Sequence, residues 1–393
     1  MGMEPLRLRR FILGRNGQLL DLDGLPSDDD SKFLRNALSC SHINVLLGSG
    51  FSAGVVPTLE NRESWFRKVE EKKLESSSND VWGSALRLLK AEYFRSIMLP
   101  LETKIPTPDQ ASALRSLLGL VRGRGTTTIP KRINLFTTNY DPLLERALDG
   151  HSASYNDGFV GREHPKFDSS AYSRLQYEQS LFMEYKAQVA TTNVIKPHGS
   201  LTWRRDGESV MYSNPGDTLQ ACLSGCEDIR TLSVLDDVRG LVKNDCNDSS
   251  LSDLEGQALW LSKEKKTLLA RFEEQYDSTL CIVNPTKKKF GETVLERYYY
   301  DLLRIYANEL DRNNALLLVF GFSFADEHIR ELTVRAARSN PKLLIFISCY
   351  KAEDANGYED YFAGCDNVIL LIPEDGAELG LDVFTRGLSC LSK

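Results

Sequence analysis

Residues 43–57 read Ile-Asn-Val-Leu-Leu-Gly-Ser-Gly-Phe-Ser-Ala-Gly-Val-Val-Pro, and this stretch decides the fold. Its first part is a short apolar run, which is typical of a strand buried on both faces of a parallel sheet. Gly48 and Gly50 follow at once, with Ser49 between them and Ser52 just beyond. Glycine lets a backbone turn sharply and approach a ligand, and free N–H groups at a helix start attract phosphate. The stretch therefore predicts a strand, a glycine turn and a nucleotide site.

The spacing of this turn is Gly-x-Gly-x-Ser-x-x-x-Gly, which departs from the Gly-x-Gly-x-x-Gly of common dinucleotide sites. By itself the motif has a second interpretation, because a glycine-rich turn between a strand and a helix is often only a tight turn. The choice between a ligand site and a tight turn depends on the motifs elsewhere in the chain.

The composition is that of a globular protein with a sizeable core. The chain has 393 residues, of which 41% are hydrophobic, enough for one large domain or two ordinary ones. No apolar run approaches the roughly 18 residues of a membrane helix, so we expect no membrane association. A formal net charge of −7 disfavours direct nucleic-acid binding, since phosphate contacts need clustered cations. The short basic clusters at 7–10 and 287–289 are interpreted as solvated surface.

The cysteines predict a reducing compartment and no structural metal. Eight of them are spread thinly along the chain, unlike the dense pairs of a secreted disulfide scaffold, so we expect a cytoplasmic protein. Cys222, Cys226 and Cys246 resemble an incomplete zinc site. Structural zinc takes four ligands, and no fourth Cys or His lies nearby in the sequence.

Apolar runs alternate with helical stripes after the first glycine turn, which predicts an α/β fold: a doubly wound, parallel, Rossmann-like sheet with helical insertions. Residues 1 to about 30 show no clear pattern before a helix start at Asp28. Helical stripes dominate 59–129, and 205–276 is polar, acidic and helical in character. We therefore expect a Rossmann-like core from 1–58, 130–204 and 277–393, and a helical insertion subdomain from 59–129 with 205–276.

Three further strand ends carry polar residues. Thr137-Thr-Asn-Tyr-Asp141 follows the apolar run 133–136, His198-Gly-Ser follows Val194-Ile195, and Gly321-Phe-Ser323 follows 316–320. Polar groups at the carboxyl ends of parallel strands point into the crevice where α/β proteins bind ligands. Each motif also has a plainer interpretation: Asn and Asp are preferred helix caps, and a lone histidine is often structural.

Together the strand-end motifs resemble those of the sirtuin-like NAD-consuming proteins of bacterial antiphage defence. The resemblance spans about 43–330 and rests on five motifs, which are Gly48–Ser52, Thr137–Asp141, Lys196–Ser200, Asn284–Thr286 and Gly321–Ile329. It implies a catalytic role for His198 and places Asn139 and Asp141 at the nicotinamide ribose. The residues that it implies for NAD binding are Gly48, Ser49, Gly50, Ser52, Thr138, Gly199, Gly321 and Ser323. A bulky residue at Gly50 is then expected to weaken NAD affinity by a clash with the phosphates.

Departures from the deacetylase sirtuins favour hydrolysis. The four-cysteine zinc module is missing, Pro57-Thr-Leu-Glu60 stands where Pro-Asp-Phe-Arg is usual, and Thr138 replaces a glutamine. We therefore expect an NAD+ glycohydrolase that releases nicotinamide and ADP-ribose without a metal. Two alternatives remain open, an NAD-dependent protein deacylase and an NAD or ADP-ribose sensor without turnover.

The chemistry of NAD cleavage agrees with these residues. Nicotinamide leaves as a neutral group, so the reaction needs no acid, and an oxocarbenium-like centre and a water must be stabilised instead. Asn139 can fix ribose hydroxyls or the water, and Asp141 can offset developing positive charge. His198 can accept a proton near neutral pH, a role worth about 10²–10⁴-fold in rate.

The resemblance also implies that activity is latent until infection, because a free NAD hydrolase would poison its own cell. No second module is recognisable in the sequence, so we expect the sensor on another chain. The expected partners are a second copy in a homo-oligomer and a translocase-type ATPase, with the helical insertions as docking surfaces.

Overall fold

The protein is described by a computed structural model that covers residues 9–21, 25–57, 61–75, 79–122, 124, 129–150, 154–179, 181–182, 184, 186–283 and 293–391. The Asn284–Thr286 motif, the basic cluster at 287–289 and residues 7–8 of the cluster at 7–10 lie outside these residues. So do Thr58–Glu60 of the altered sirtuin motif.

Strands and helices alternate from residue 280 to residue 391, and earlier in the described chain runs of helices (49–122 and 215–279) and a run of strands (155–212) occur between the core elements. The strands are β1 (Arg9–Leu13), β2 (Leu19–Leu20), β3 (His42–Leu47), β4 (Arg132–Thr137), β5 (Tyr155–Asn156), β6 (Phe159–Val160), β7 (Lys166–Phe167), β8 (Gln176–Gln179), β9 (Lys186–Val189), β10 (Thr191–Ile195), β11 (Gly199–Asp206), β12 (Ser209–Tyr212), β13 (Leu280–Ile282), β14 (Ala315–Phe320), β15 (Leu344–Ser348) and β16 (Val368–Pro373). The helices are α1 (Asp28–Cys40), α2 (Ser49–Ser52), α3 (Arg62–Glu75), α4 (Asn79–Tyr93), α5 (Pro108–Arg122), α6 (Leu143–Asp149), α7 (Pro215–Cys222), α8 (Val234–Val242), α9 (Asp248–Leu259), α10 (Lys263–Thr279), α11 (Thr293–Leu310), α12 (Glu327–Ser339), α13 (Ala355–Tyr361) and α14 (Leu381–Leu391).

The largest sheet has the order β2-β1-β16-β15-β14-β3-β4-β10-β5. Its pairs are parallel except for β1 with β2. From β3 the chain adds β4 and β10 on one side, and later β14, β15 and β16 on the other. The strand order therefore reverses between β3 and β14, and such a switch point leaves a crevice at the carboxyl ends of the strands. This confirms the predicted doubly wound α/β fold.

The register at the switch point brings two sequence motifs side by side. Strand β3 is buried from Ile43 to Leu47, and all of β14 is buried, as their largely apolar sequences predict. Leu47 pairs with Phe320, so the two strands end at the same level. The glycine turns that follow β3 and β14 therefore meet.

The N-terminal residues were not predicted to form strands, but β1 and β2 extend the sheet at one edge. Phe11, Leu13 and Leu19 are buried, and β1 lies parallel to β16. Arg10, in one of the basic clusters, lies in β1 and is 2.8 Å from the Glu359 carboxylate through its Nε atom. Strand β1 reads Arg-Arg-Phe-Ile-Leu, and three apolar residues without alternation are a weak strand pattern, so pairing with β16 supplies the missing stabilisation.

Helix α5 packs differently from the prediction, which placed it with the insertion at 59–129. Its buried residues Leu114, Leu117 and Val121 lie in the same apolar cluster as Val45 and Leu135 of the sheet. The prediction of a helix was correct, but the apolar face of this helix packs on the core sheet. An apolar stripe predicts a buried helix face without indicating which part of the protein covers that face. The remaining domain boundaries stay predictions.

A separate apolar cluster joins helices α3 and α4 to helices α7, α8, α9 and α10. Segments of the core lie between these two groups of helices in the sequence. Cys222, Cys226 and Cys246 are buried in this cluster, and burial raises the pKa of the Cys222 thiol to about 12. In the described ranges no group of three or more His, Cys, Asp or Glu is arranged to hold a metal ion. Nor does the described part of the chain contain a helix long and apolar enough to span a bilayer.

Candidate active site

The glycines at the switch point let two turns of the protein pack on each other. The Gly50 N–H donates to the Gly321 carbonyl at 3.0 Å, and Gly321 has a φ of 60°, in the left-handed region that favours glycine. A Cβ on Gly50 would lie 2.6 Å from the Cα of Gly321, and one on Gly48 would overlap the Gly321 carbonyl. The expectation that a side chain at Gly50 acts by colliding with NAD phosphates is thereby corrected, since it would first meet Gly321.

A hydrogen-bonded network lies where β3 and β4 end. Asn139 Nδ2 donates to the Gly48 carbonyl at 2.9 Å and to Ser52 Oγ at 3.0 Å. Ser52 Oγ in turn donates to Asp141 Oδ2 at 2.8 Å, and both of these side chains are buried. Asp141 Oδ1 accepts from the Leu143 N–H at 3.0 Å. The network fixes the first turn of α6 against the glycine turn.

This network determines which atom of Asn139 can serve a ligand. Both Nδ2 protons are directed at protein acceptors, the Gly48 carbonyl and the Ser52 hydroxyl. The half-buried Asn139 side chain lines a cavity at the switch point. Its carbonyl oxygen Oδ1 is therefore the atom left to accept a hydrogen bond from a ligand in that cavity. Asn139 is therefore positioned to bind a hydroxyl group or a water.

A buried lysine holds the backbone behind Asp141. Lys196 is 2% exposed and donates from Nζ to the Asp141 carbonyl at 2.6 Å and to Ser200 Oγ at 3.3 Å. Its Nζ is also 2.7 Å from Glu145 Oε1. Burial raises the pKa of the Glu145 carboxyl, and the Lys196 ammonium opposes that shift. Lys196 thus ties the ends of β4 and β10 together through contacts shielded from water.

His198 lies in the turn between β10 and β11. Its carbonyl accepts from the Val283 N–H at 2.8 Å, and Gly199 follows it with a φ of 78°. The ring nitrogen Nε2 is 2.8 Å from Asp326 Oδ2, a residue of the loop after β14. Tyr299 packs near the ring, with a centroid separation of 6.0 Å. The imidazole therefore stands between the β10 and β14 strand ends.

These elements surround a cavity of about 220 Å³ at the switch point. Most of the predicted site residues line it, namely Ser49, Ser52, Thr138, Asn139, Asp141, His198, Gly321 and Ser323. Gly48 and Gly199 do not line it. Each of these two packs against protein backbone instead, Gly48 on Gly321 and Gly199 on Cys281. The structure thus brings together residues of four separate strand-end motifs, those after β3, β4, β10 and β14.

Several lining residues were not predicted, namely Val56, Pro57, Glu63, Tyr93, Tyr140, Val283, Phe322, Ala325 and Asp326. Asp326 lies within the Gly321–Ile329 motif. Its position at a predicted helix start, just after a strand-end motif, was a signal that could have identified it as a site residue. Tyr93 comes from α4 of the helical insertion. No sequence signal marked it as a site residue, because it lies in an apolar helical stripe that is typical of core residues. Its hydroxyl meets that of Tyr140, and burial raises the pKa of both phenols.

A second cavity of about 790 Å³ adjoins the first, and Ser49, Gly321, Phe322 and Ser323 line both. Gly50 lines this second cavity only. Further walls come from the ends of β15 and α13 and from the start of α14, including Ser348, Tyr358 and Asp382. The two cavities therefore lie side by side at the carboxyl edge of the sheet.

The part of the site on β4 and β10 is similar in sequence to a known protein family. No curated protein matches the chain. Residues 133–216 match a protein family described as SIR2-like domain. That segment includes β4, β10, Asn139, Asp141 and His198. The part of the site built on β4 and β10 is therefore similar to a SIR2-like domain.

Proposed function

We propose that this protein is an NAD+ hydrolase that cleaves the nicotinamide N-glycosidic bond and releases nicotinamide and ADP-ribose. One observation carries the proposal: Asn139 Oδ1 and the imidazole of His198 line the same cavity at the switch point of a sheet that bears a SIR2-like segment. One group accepts hydrogen bonds, and the other accepts protons near neutral pH.

The two adjoining cavities fit a dinucleotide in outline. The smaller one holds the polar network and His198, so the nicotinamide ribose belongs there. The larger one, at about 790 Å³, lies within the roughly 300–1,000 Å³ of known ligand pockets and suits the adenosine. Ser49, Gly321 and Ser323 line both cavities, where the pyrophosphate would pass.

In the proposed reaction, the bond between the ribose C1′ and the pyridinium nitrogen breaks, and its electron pair leaves with nicotinamide, which becomes neutral. Water then forms a bond to C1′ and gives up one proton. Asn139 Oδ1 accepts a hydrogen bond from a ribose hydroxyl or from that water. His198 accepts the released proton, and such general-base roles contribute about 10²–10⁴-fold.

We also propose that the activity depletes NAD in antiphage defence and that it is controlled by assembly. The support is the resemblance of the strand-end motifs to sirtuin-like defence proteins. A homo-oligomer, a translocase-type ATPase partner and a cytoplasmic location belong to the same proposal. Native mass measured alongside activity over a dilution series tests the oligomer, and a monomer fully active at every dilution would contradict it.

The activity is tested by mixing the purified chain with NAD alone and quantifying nicotinamide and ADP-ribose. Hydrolysis needs no acylated peptide, a deacylase turns over only with one, and a sensor binds NAD without product. His198→Ala should lower kcat by at least about 100-fold. The matched control is His164→Ala, because His164 is exposed and does not line the cavity.

Equal rates in the wild type and His198→Ala would place the catalytic base elsewhere. Product that forms only when an acylated peptide is added would replace hydrolysis by deacylation. Both variants should bind NAD and melt near the wild-type temperature, so that a loss of rate is not a loss of fold.

A further inference from the structure

The contact between His198 and Asp326 joins two distant parts of the chain. Nε2 of the imidazole lies 2.8 Å from Oδ2 of the carboxylate. Both atoms are shielded from solvent, and the two side chains are 15% and 9% exposed. Shielding strengthens an interaction between charges, since little water screens it. A proton taken up by the imidazole would therefore be stabilised by this carboxylate.

The two oxygens of Asp326 have separate tasks. Oδ1 accepts from the Ile329 N–H at 3.1 Å, so Asp326 is the N-cap of α12. Oδ2 is the oxygen directed at His198. The cap fixes the carboxylate plane, and this orientation presents the second oxygen to the imidazole. A residue serving only as a cap has no need of that second contact.

The loop before Asp326 is held in an unfavourable backbone conformation. Phe324 has a φ of 57°, in the left-handed region that a bulky residue rarely adopts. Its buried ring packs on Phe322 at 5.1 Å and on Phe362 at 5.3 Å, and Arg330 donates to its carbonyl at 2.9 Å. Packing on both sides of the turn thus keeps Asp326 at one position relative to the sheet.

We propose that Asp326 is a positioning residue that orients His198 and stabilises its protonated form while water attacks the ribose. The inference rests on the proposed function for the identity of the reaction. Asp326 holds the imidazole through Nε2, which leaves Nδ1 for the proton of the attacking water or ribose hydroxyl. Proton transfer goes to His198 only, and Asp326 stays ionised throughout.

Other ionisable groups face the same space from the surrounding elements. Tyr299 on α11 packs on the imidazole, and burial together with the Asp326 charge raises the pKa of its phenol, which keeps it neutral. Asp141, after β4, is bound by Ser52 and by the Leu143 N–H. Glu63 on α3, Tyr93 on α4 and Tyr140 also line the cavity. The ion pair within 4 Å that the structure records for His198 is with Asp326.

The test is Asp326→Asn, which keeps the size and the helix cap but removes the charge. We expect kcat to fall about 10–100-fold with KM changed less than about threefold, as when the partner of a functional histidine is lost. The carboxylate favours the protonated base, so its removal should move the acid limb of the kcat/KM profile to lower pH. Asp168→Asn, an exposed cap far from the cavity, should change neither quantity.

A role in capping alone predicts unchanged kcat and an unchanged pH profile in Asp326→Asn, and that outcome would overturn the proposal. Proton NMR of the His198 ring supplies a readout that needs no catalysis, with the signal assigned by its loss in His198→Gln. The ring signals should move in Asp326→Asn at a fixed pH, because the carboxylate 2.8 Å from Nε2 loses its charge. Identical ring signals would refute the contact, whereas a wild type that releases no nicotinamide at any protein concentration would refute the proposed function and leave the contact intact.

Discussion

Two loops face each other across the cavity, and they are made rigid by different means. The loop after β4 is held by hydrogen bonds, because Asn139, Ser52 and Asp141 bond to one another and to backbone. The loop after β14 rests on the buried rings of Phe322 and Phe324, and its hydrogen bonds are accepted by backbone carbonyls, while Ser323 is exposed to the cavities.

The difference shows that equivalent positions in a doubly wound sheet can be supported independently. In the first loop, the groups that fix the backbone are also the groups that face the ligand. In the second loop, support comes from the buried rings and from hydrogen bonds to backbone carbonyls, so the Ser323 hydroxyl and Asp326 Oδ2 face the ligand space or His198. Substitutions should therefore separate stability from activity in the second loop and affect both in the first.

The largest expected effect is on packing in the second loop. Phe324→Ala should lower the free energy of unfolding by about 3–5 kcal/mol, because a fully buried ring is lost and a cavity remains. Denaturant unfolding measures it. Leu259→Ala, at a side chain 54% exposed, should cost less than about 1 kcal/mol and serves as the control. A Phe324→Ala protein as stable as the wild type would mean that packing does not hold this loop.

Asn139→Ala is expected to have the next largest effect, this time on turnover. Loss of Oδ1 removes a hydrogen-bond acceptor at the ribose or water, and we expect kcat to fall about 100-fold, equivalent to ~2.7 kcal/mol. Nicotinamide release measures it. Asn36→Ala, at an exposed position on α1, is the matched control. Turnover within twofold of the wild type would remove Asn139 from the mechanism.

Ser52→Ala tests whether the hydrogen-bonded loop couples stability to activity. The change leaves Asp141 Oδ2 and one Asn139 Nδ2 proton without the Ser52 hydroxyl, and an unpaired buried polar group costs about 1–3 kcal/mol. Thermal melting should show that loss, together with slower NAD cleavage. Ser39→Ala, on the exposed face of α1, should show neither. A loss of stability with full activity would argue that the network does not position Asn139.

Ser323→Ala should have the smallest effect. It should weaken NAD binding without lowering stability, in contrast to Ser52→Ala in the first loop. Its side chain is exposed and lines both cavities, so stability should stay within about 0.5 kcal/mol. KM for NAD should rise about 2–10-fold, the equivalent of one neutral hydrogen bond. Calorimetry of NAD binding and a thermal melt check both statements. A large drop in melting temperature would mean that polar contacts support this loop as well.

Much of the fold was predictable because buried parallel strands have a strong sequence pattern. The apolar runs ending at Leu47, Phe136 and Phe320 became neighbouring strands of one sheet, and the side chains just beyond them line one cavity. Strand β1 and the packing of α5 were missed or misplaced. Their stability comes from neighbours that lie far away in the chain, which local periodicity cannot indicate.

The candidate site was predictable where a polar residue follows a buried strand, as with Asn139, Asp141 and His198. The effect of a side chain at Gly50 was misjudged. A glycine motif indicates that a Cβ atom does not fit at that position, but it does not indicate which atoms the Cβ would collide with. Tyr93 was out of reach, since it joins the cavity from an inserted helix whose sequence resembles any core stripe.

The sequence by itself determined the sheet type and the strand-end positions of the candidate site residues, because burial and backbone freedom act on adjacent residues. Only the tertiary structure decided that Gly48 and Gly50 pack on Gly321, that both Asn139 Nδ2 protons are used by protein acceptors, and that the Asp326 carboxylate lies 2.8 Å from the His198 ring. These facts depend on the strand order and the register of β3 with β14, which bring together residues hundreds of positions apart. Distances between such residues follow from the packing of the whole sheet, and no local pattern encodes them.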